Sequence, residues 1–285
     1  EKSLLEKDSL KTELEEPQSL KDKKGFFDFI SPILCVIFNR KSSNFDQEEL
    51  ELLGKLAENA YILFNINDYE HVGLLKNTLE LFVKEKINSQ VDVLDNITWT
   101  TLGFQTSKPH TDFRGGGLLS LHVLNYFIKG RRTVIDEIVA FNETRAEFLL
   151  ACAIISCTFY LKEFFHFGLS SHYKSKHDKK KTCSRKELKV FLRLIDGNGN
   201  TFYEICSILV ARLFEYWKAE TLLNPSITII DFKSAEENLR SFFQFNFQKF
   251  SNEATAQQPK LETFTKHFHS KLITTHVIPF KKIMR

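Results

Sequence analysis

The sequence predicts an all-α protein built around a single irregular, multi-helix domain. Residues that break helices are rare, with only 6 prolines and 11 glycines in 285 residues. Apolar residues recur at helical spacing in most segments, and none alternates strongly enough to predict a sheet. Phenylalanine occurs 28 times against seven tyrosines, which favours a core of bulky side chains packed between helices.

Composition narrows the class of protein further. Apolar residues make up 42% of the chain and charged residues 26%, as in soluble globular proteins, and a net charge of +3 is too small to indicate nucleic acid as the main partner. The two most apolar runs, 26–38 and 148–161, are shorter than the roughly 20 residues of a membrane span. The five cysteines have no spacing typical of disulfides or zinc, so we expect a cytoplasmic protein with reduced thiols and no metal.

The chain divides into three predicted parts. Residues 1–24 form a charged arm that Pro17 interrupts, and residues 25–250 form the all-α domain. Within the domain, residues 170–187 are strongly basic and predict a mobile surface loop. Residues 251–285 predict a polar linker and a terminal helix at 263–273.

Apolar periodicity and capping pairs place the helices of the domain. The segment 146–165 is apolar on most faces, which predicts the central buried helix. Short extended pieces are expected at 61–64 and 226–230. Four pairs predict helix starts, namely Asp46 with Glu49, Thr133 with Asp136, Thr201 with Glu204, and Ser234 with Glu237. Further helices are predicted at 71–87, 118–129 and 189–195.

The stretch from Trp99 to Gly117 is the most informative part of the chain. It places Arg114 directly after an acidic and an aromatic residue, Asp112 and Phe113, and before three consecutive glycines. Glycines allow sharp turns and close approach to another surface. An arginine on such a turn can be directed at a phosphate or a carboxylate.

These residues resemble the signature of the ELMO domain family. The match consists of Trp99-x-x-Leu-Gly-Phe-Gln, Pro109, Asp112-Phe-Arg-Gly-x-Gly and the leucines and aromatics that follow as far as Phe127. It is most similar to the branch of ELMO-domain proteins that act as GTPase-activating proteins for Arf and Arf-like small GTPases. In that branch activity depends on the arginine at the position of Arg114.

The resemblance implies a function exerted on a partner. Arg114 is the implied catalytic residue, and the chain has no expected GTPase activity or cofactor of its own, because GTP and Mg²⁺ would belong to the partner GTPase. The residues expected to support its loop are Trp99, Gly103, Phe104, Gln105, Pro109, Asp112, Phe113, Gly115, Gly116 and Gly117. The alternatives are a non-catalytic scaffold, as in ELMO proteins that bind a Rac exchange factor, or a module that binds a GTPase without stimulating it.

Several residues keep two interpretations. Arg114 either acts on the partner or is buried in an ion pair with an acid such as Asp112. Gln105 either orients water or forms a hydrogen bond within the loop. We expect Lys108, Pro109 and His110 on the exposed part of the loop. The basic residues in 174–186 either contact anionic membrane peripherally or are solvated.

Overall fold

The computed structural model describes residues 47–143, 147–165, 183–195, 200–224, 226–254 and 259–274. All of them belong to one compact unit, residues 45–285. The predicted arm 1–24, the capping residue Asp46 and most of the basic loop 170–187 lie outside the described residues.

The described part of the chain is helical and contains no strand, which confirms the predicted all-α class. Ten α-helices follow one another there, with 3-10 turns at Pro109–Thr111 and Ile229–Asp231. The helices are α1 (Gln47–Tyr61), α2 (Tyr69–Val83), α3 (Thr98–Thr101), α4 (Gly117–Gly130), α5 (Arg132–Asn142), α6 (Leu150–Phe164), α7 (Arg185–Leu194), α8 (Thr201–Leu223), α9 (Phe232–Glu253) and α10 (Leu261–Thr274).

Helices α4 and α8 form the centre of the packing. Helix α4 contacts α1, α2, α5, α6 and α8, while α8 contacts α4, α6, α9 and α10. Helix α6, the predicted central helix, packs between these two and buries most of its faces. Both tryptophans and nine phenylalanines are almost completely buried, namely Trp99, Trp217, Phe113, Phe127, Phe148, Phe165, Phe191, Phe202, Phe214, Phe243 and Phe247. The abundant phenylalanine is therefore core material.

Several predicted helix starts differ from the structure. Helix α5 begins at Arg132, so Thr133 is not its cap, and Asp136 pairs instead with Arg132 at 2.9 Å. Thr201 is already the first residue of α8, and its hydroxyl donates to the carbonyl of Leu194 at 2.9 Å. Ser234 lies inside α9 rather than at its start.

Helix α7 begins four residues earlier than predicted. Its N-cap is Ser184, whose hydroxyl accepts from the backbone of Glu187 while the Glu187 carboxylate accepts from the backbone of Ser184. This capping box satisfies two donors that would otherwise be unpaired at the helix start. The last three residues of the predicted basic loop are therefore the first turn of a helix. Residues 61–64 and 226–230 form no strand.

No described helix is long and apolar enough to cross a membrane.

Candidate functional site: the Arg114 loop

Arg114 is exposed on the turn that leads into α4. Its Nε donates to the carbonyl of Thr111 at 2.9 Å. Within the described part of the chain, its terminal guanidinium nitrogens form no ion pair or hydrogen bond. The hypothesis that Arg114 is buried against an acid is therefore wrong. The contact through Nε fixes one edge of the guanidinium and leaves the other edge available.

Asp112 binds the loop backbone rather than Arg114. Its carboxylate accepts from the backbone N–H of Gln105 at 2.9 Å and from the hydroxyl of Thr111 at 3.3 Å. The first bond joins the two ends of the segment 105–112. A carboxylate that accepts a backbone hydrogen bond in this way stabilises a turn by more than a neutral acceptor does.

A row of aromatic side chains, most of them buried, packs against the loop. The rings of Trp99 and Phe104 meet edge to face at 5.3 Å, and those of Phe104 and Phe113 meet the same way at 5.6 Å. Phe64, after α1, continues the row against Phe113 at 5.4 Å. The indole N–H of Trp99 donates to the carbonyl of Val93 at 2.9 Å, so its polar atom is satisfied in the core.

The first half of the signature also completes the start of α6. The N–H groups of Ala151 and Cys152 donate to the carbonyls of Leu102 and Gly103 at 3.0 and 3.3 Å. The first N–H groups of a helix have no partner inside it, so an outside acceptor stabilises the helix end. Gly103 allows the approach, because it has φ +91° and a Cβ there would collide with the backbone of Leu149 and Leu150.

The second close approach involves Gly117, the first residue of α4. Its φ is +64°, and a Cβ would lie 2.5 Å from the carbonyl oxygen of Ile62. The same oxygen accepts from the N–H of Leu118 at 2.8 Å, while the N–H of Gly117 donates to Phe113 at 2.7 Å. These two N–H groups are therefore not available to line a phosphate nest. The loop of Arg114 is tied to the end of α1 as well as to α4.

The other two glycines of the triplet differ from each other. Gly116 is buried, and a Cβ there would collide with the side chain of Ser120. Gly115 is exposed, and a Cβ would meet only the ring of Phe159, at 3.9 Å. The fold therefore leaves space for a side chain at Gly115.

The outer corner of the loop holds Lys108, Pro109 and His110, of which only Lys108 is exposed. Pro109 is buried, which corrects the expectation for this residue. Lys108 lies 3.5 Å from Asp95, whose carboxylate also accepts from the hydroxyl of Ser107. The hydrogen bond from Ser107, followed by the charge of Lys108, lowers the pKa of Asp95.

Gln105 and Cys152 meet beside the loop. The side chain of Gln105 is exposed and lies near the thiol of Cys152, which is half-buried at the start of α6. Burial raises the pKa of this thiol to about 11, so it is protonated at neutral pH. The hydrogen bond that Gln105 forms within the loop comes from its backbone N–H, which donates to the carboxylate of Asp112.

Three exposed apolar residues near the arginine were not identified from the sequence. They are Ile62 and Leu63, which follow α1, and Phe159 on α6. The sequence places Ile62 and Leu63 in a short extended piece and Phe159 in the central helix. Only the tertiary contacts with the glycine triplet bring them beside the loop of Arg114.

A buried lysine lies one helical turn beyond Phe159. Lys162 is 8% exposed, and its ammonium lies 5.9 Å from the centre of the Tyr61 ring. Burial lowers the pKa of Lys162 to about 8, against an ordinary value of 10.5.

The described residues contain no cluster of side chains that could hold a metal ion.

Comparison with known proteins identifies the family. Residues 54–236 match the model of the ELMO/CED-12 family. The chain is similar to ELMO domain-containing protein 1 of Mus musculus, with 32% identity over 77 residues, covering 27% of this chain and 23% of that protein. It is 33% identical over 86 residues to ELMO domain-containing protein 1 of Homo sapiens, covering 30% of this chain and 24% of the relative.

These alignments span about a quarter of the length of the relatives, and no solved structure matches the chain. The family model, in contrast, covers more than half of the 285 residues and includes the whole Arg114 loop, α4 and α6. The chain therefore belongs to the ELMO/CED-12 family.

Proposed function

We propose that this protein is a GTPase-activating protein for an Arf or Arf-like small GTPase and acts through Arg114. The observation that carries the proposal is the exposure of the Arg114 side chain and the availability of its terminal nitrogens. The side chain is exposed on a loop fixed at both ends, and its terminal nitrogens have no partner in the described part of the chain. The resemblance to the arginine-retaining ELMO branch supplies the class of partner.

The chemistry requires a positive charge from outside the GTPase. During GTP hydrolysis, negative charge develops on the oxygens of the transferred phosphoryl group and on the leaving oxygen. An arginine inserted in trans neutralises this charge, with a gain in rate of roughly 10³ to 10⁵. The partner supplies GTP, Mg²⁺ and the attacking water.

The loop geometry suits this role because the arginine is positioned before a partner arrives. Thr111 holds Nε, so the edge of the guanidinium that carries the two terminal nitrogens can meet two phosphate oxygens at once. The aromatic row and the bond between Gln105 and Asp112 restrict movement of the backbone beneath it. Positioning of this kind lowers the entropy lost on reaching the transition state.

Single-turnover GTP hydrolysis on a panel of Arf and Arf-like GTPases tests the proposal. Stimulation by the wild type should collapse in both Arg114→Ala and Arg114→Lys, because lysine keeps the charge but not the planar fork. Arg193→Ala is the matched control, since Arg193 is also exposed but lies on α7 and pairs with Glu49. Binding without stimulation by the wild type would indicate a non-catalytic module instead.

A second experiment separates direct contact from ordering of the loop. Aluminium fluoride with GDP mimics the transferred phosphoryl group, and an enzyme site binds a transition-state mimic more tightly than the ground state. Wild type should bind the GDP–aluminium fluoride form of the GTPase more tightly than the form loaded with a non-hydrolysable GTP analogue. If Arg114→Ala keeps this difference, the arginine does not contact the transition state.

A further inference from the structure

Three residues with exposed apolar side chains lie beside the glycine triplet that follows Arg114, and we name them the apolar collar: Ile62, Leu63 and Phe159. Leu63 is 69% exposed, and Ile62 and Phe159 are each 39% exposed. Ile62 and Leu63 belong to the segment after α1, whereas Phe159 belongs to α6. Large apolar side chains grouped on a surface mark interaction sites more often than single ones do.

The contacts place the backbone of Ile62 and Leu63 and the ring of Phe159 beside the glycines that follow Arg114. Phe159 lies beside Gly115, the residue after Arg114, with its ring 3.9 Å from the position of a Cβ there. Ile62 accepts the N–H of Leu118 at 2.8 Å, and the Cα of Leu63 lies 4.0 Å from the Cβ position of Gly117. Gly115 and Gly117 therefore allow the turn to pass close to both parts of the apolar collar.

We propose that the apolar collar is the docking surface for the switch segments of a GTP-bound small GTPase, an inference that rests on the function proposed above. Switch segments are ordered by contacts with the γ-phosphate and Mg²⁺ and are released after hydrolysis. They therefore lie beside the phosphate that Arg114 would contact. The apolar collar would therefore find an ordered surface on the GTPase only while the GTPase holds GTP.

The charge of Arg114 distinguishes this partner from a second copy of the chain. A symmetric contact through the apolar collar would bring two arginines into one interface without a counter-charge, and burying an unpaired charge is strongly unfavourable. The γ-phosphate of a bound nucleotide supplies the missing anion. The surface thus fits a partner that is apolar at its rim and anionic at its centre.

Binding and hydrolysis measured on paired variants test the inference. The GTPase that responds in the activation assay is loaded with a non-hydrolysable GTP analogue or with GDP, and its affinity is measured by titration. Leu63→Glu and Phe159→Glu should each raise the Kd for the GTP-analogue form about 10-fold or more, as truncation of an interface anchor does. Both variants should keep the maximal stimulated rate and raise the concentration needed for half of it.

The controls are chemically matched substitutions elsewhere on the surface. Leu223→Glu, at the end of α8, and Phe245→Glu, on α9, replace side chains that are 76% and 66% exposed. Neither should change the Kd or the stimulated rate. Thermal unfolding checks that Phe159→Glu remains folded, and Leu63→Glu provides the second test because its side chain is more exposed.

The outcomes separate this inference from the proposed function. If Arg114→Ala loses stimulation but both collar variants bind the GTP-analogue form like wild type, the docking surface is overturned and the function stands. If the variants instead weaken self-association in sedimentation, the apolar collar holds a second copy. If wild type neither binds nor stimulates any GTPase of the panel, both proposals fail.

Discussion

The carboxylate of Asp112 accepts the backbone N–H of Gln105 at 2.9 Å, and this bond closes the loop that carries Arg114. The acid that stands two residues before the arginine is therefore part of the scaffold and not its counter-ion. The arrangement separates two tasks, because one side chain fixes the backbone and another remains available.

Asp112→Ala should lower the free energy of unfolding by about 1–2 kcal/mol, because the N–H of Gln105 loses a charged acceptor. Asp112→Asn should lose less, since its amide oxygen can still accept that bond. Urea unfolding of both variants measures the difference. Equal losses in the two variants would show that the hydrogen bond to Gln105 is not what stabilises the loop.

The glycines of the loop should differ sharply in how much stability is lost when each is replaced by alanine. Gly103→Ala and Gly117→Ala each place a Cβ against backbone at a positive φ, and we expect each to cost about 2 kcal/mol or more. Gly115→Ala meets only the ring of Phe159 in ordinary contact and should change stability by less than about 0.5 kcal/mol. Unfolding midpoints in urea test the ranking, which a large loss in Gly115→Ala would contradict.

Arg114→Ala should leave the free energy of unfolding within about 0.5 kcal/mol of wild type, because the side chain is exposed and makes a single hydrogen bond with the described residues. A loss of GTPase stimulation in this variant could then be assigned to the missing guanidinium. Calorimetry of the two proteins provides the comparison. A substantial drop in the melting temperature would mean that the arginine holds the loop together.

Lys162 should make stability depend on pH. Because burial lowers its pKa to about 8 in the folded protein, the unfolded chain binds more protons between pH 8 and 10.5. The contribution of this residue to the free energy of unfolding therefore rises with pH across that window. Lys162→Met, which cannot be charged, should be more stable than wild type by about 1–3 kcal/mol at pH 7.

This advantage of Lys162→Met should fade as the pH approaches 10.5, since the amine is then neutral in the folded protein and half deprotonated in the unfolded chain. Unfolding curves at several pH values measure it, and the exposed Lys129→Met is the control, expected to show no such trend. A stability difference that stays constant from pH 7 to 10 would show that Lys162 is charged at no cost in the fold.

Apolar periodicity predicted where helices occur better than side-chain pairs predicted where they begin. Glu204 illustrates the reason. It stands where a capping box for α8 would need it, yet its carboxylate pairs with Arg131 and accepts from the hydroxyl of Tyr126 at 3.2 Å. Those partners lie at or next to α4, more than 70 residues away in the chain, so a local pattern carries no information about them.

At the candidate site too, the sequence predicted the local features but not the tertiary contacts. The sequence located the loop and its arginine, because glycines at unusual backbone positions and an Asp-Phe-Arg run are local signals. It did not locate Phe159, which approaches Gly115 only because α6 packs beside α4. Nor did it distinguish an ion pair between Asp112 and Arg114 from the observed bond to Gln105, since both are compatible with the same spacing.

The carbonyl of Ile62 couples the loop of Arg114 to α4. Leu118 binds this carbonyl at the first turn of α4, and Gly117 passes against it, so the loop of Arg114 is coupled to a helix with five packed neighbours. Close-packed interiors resist small displacements, so a shift of the backbone under the arginine would also have to displace the end of α1 and the start of α4. Under the proposed function, a partner would therefore meet a guanidinium that Thr111 already holds in place, with little movement of the backbone beneath it.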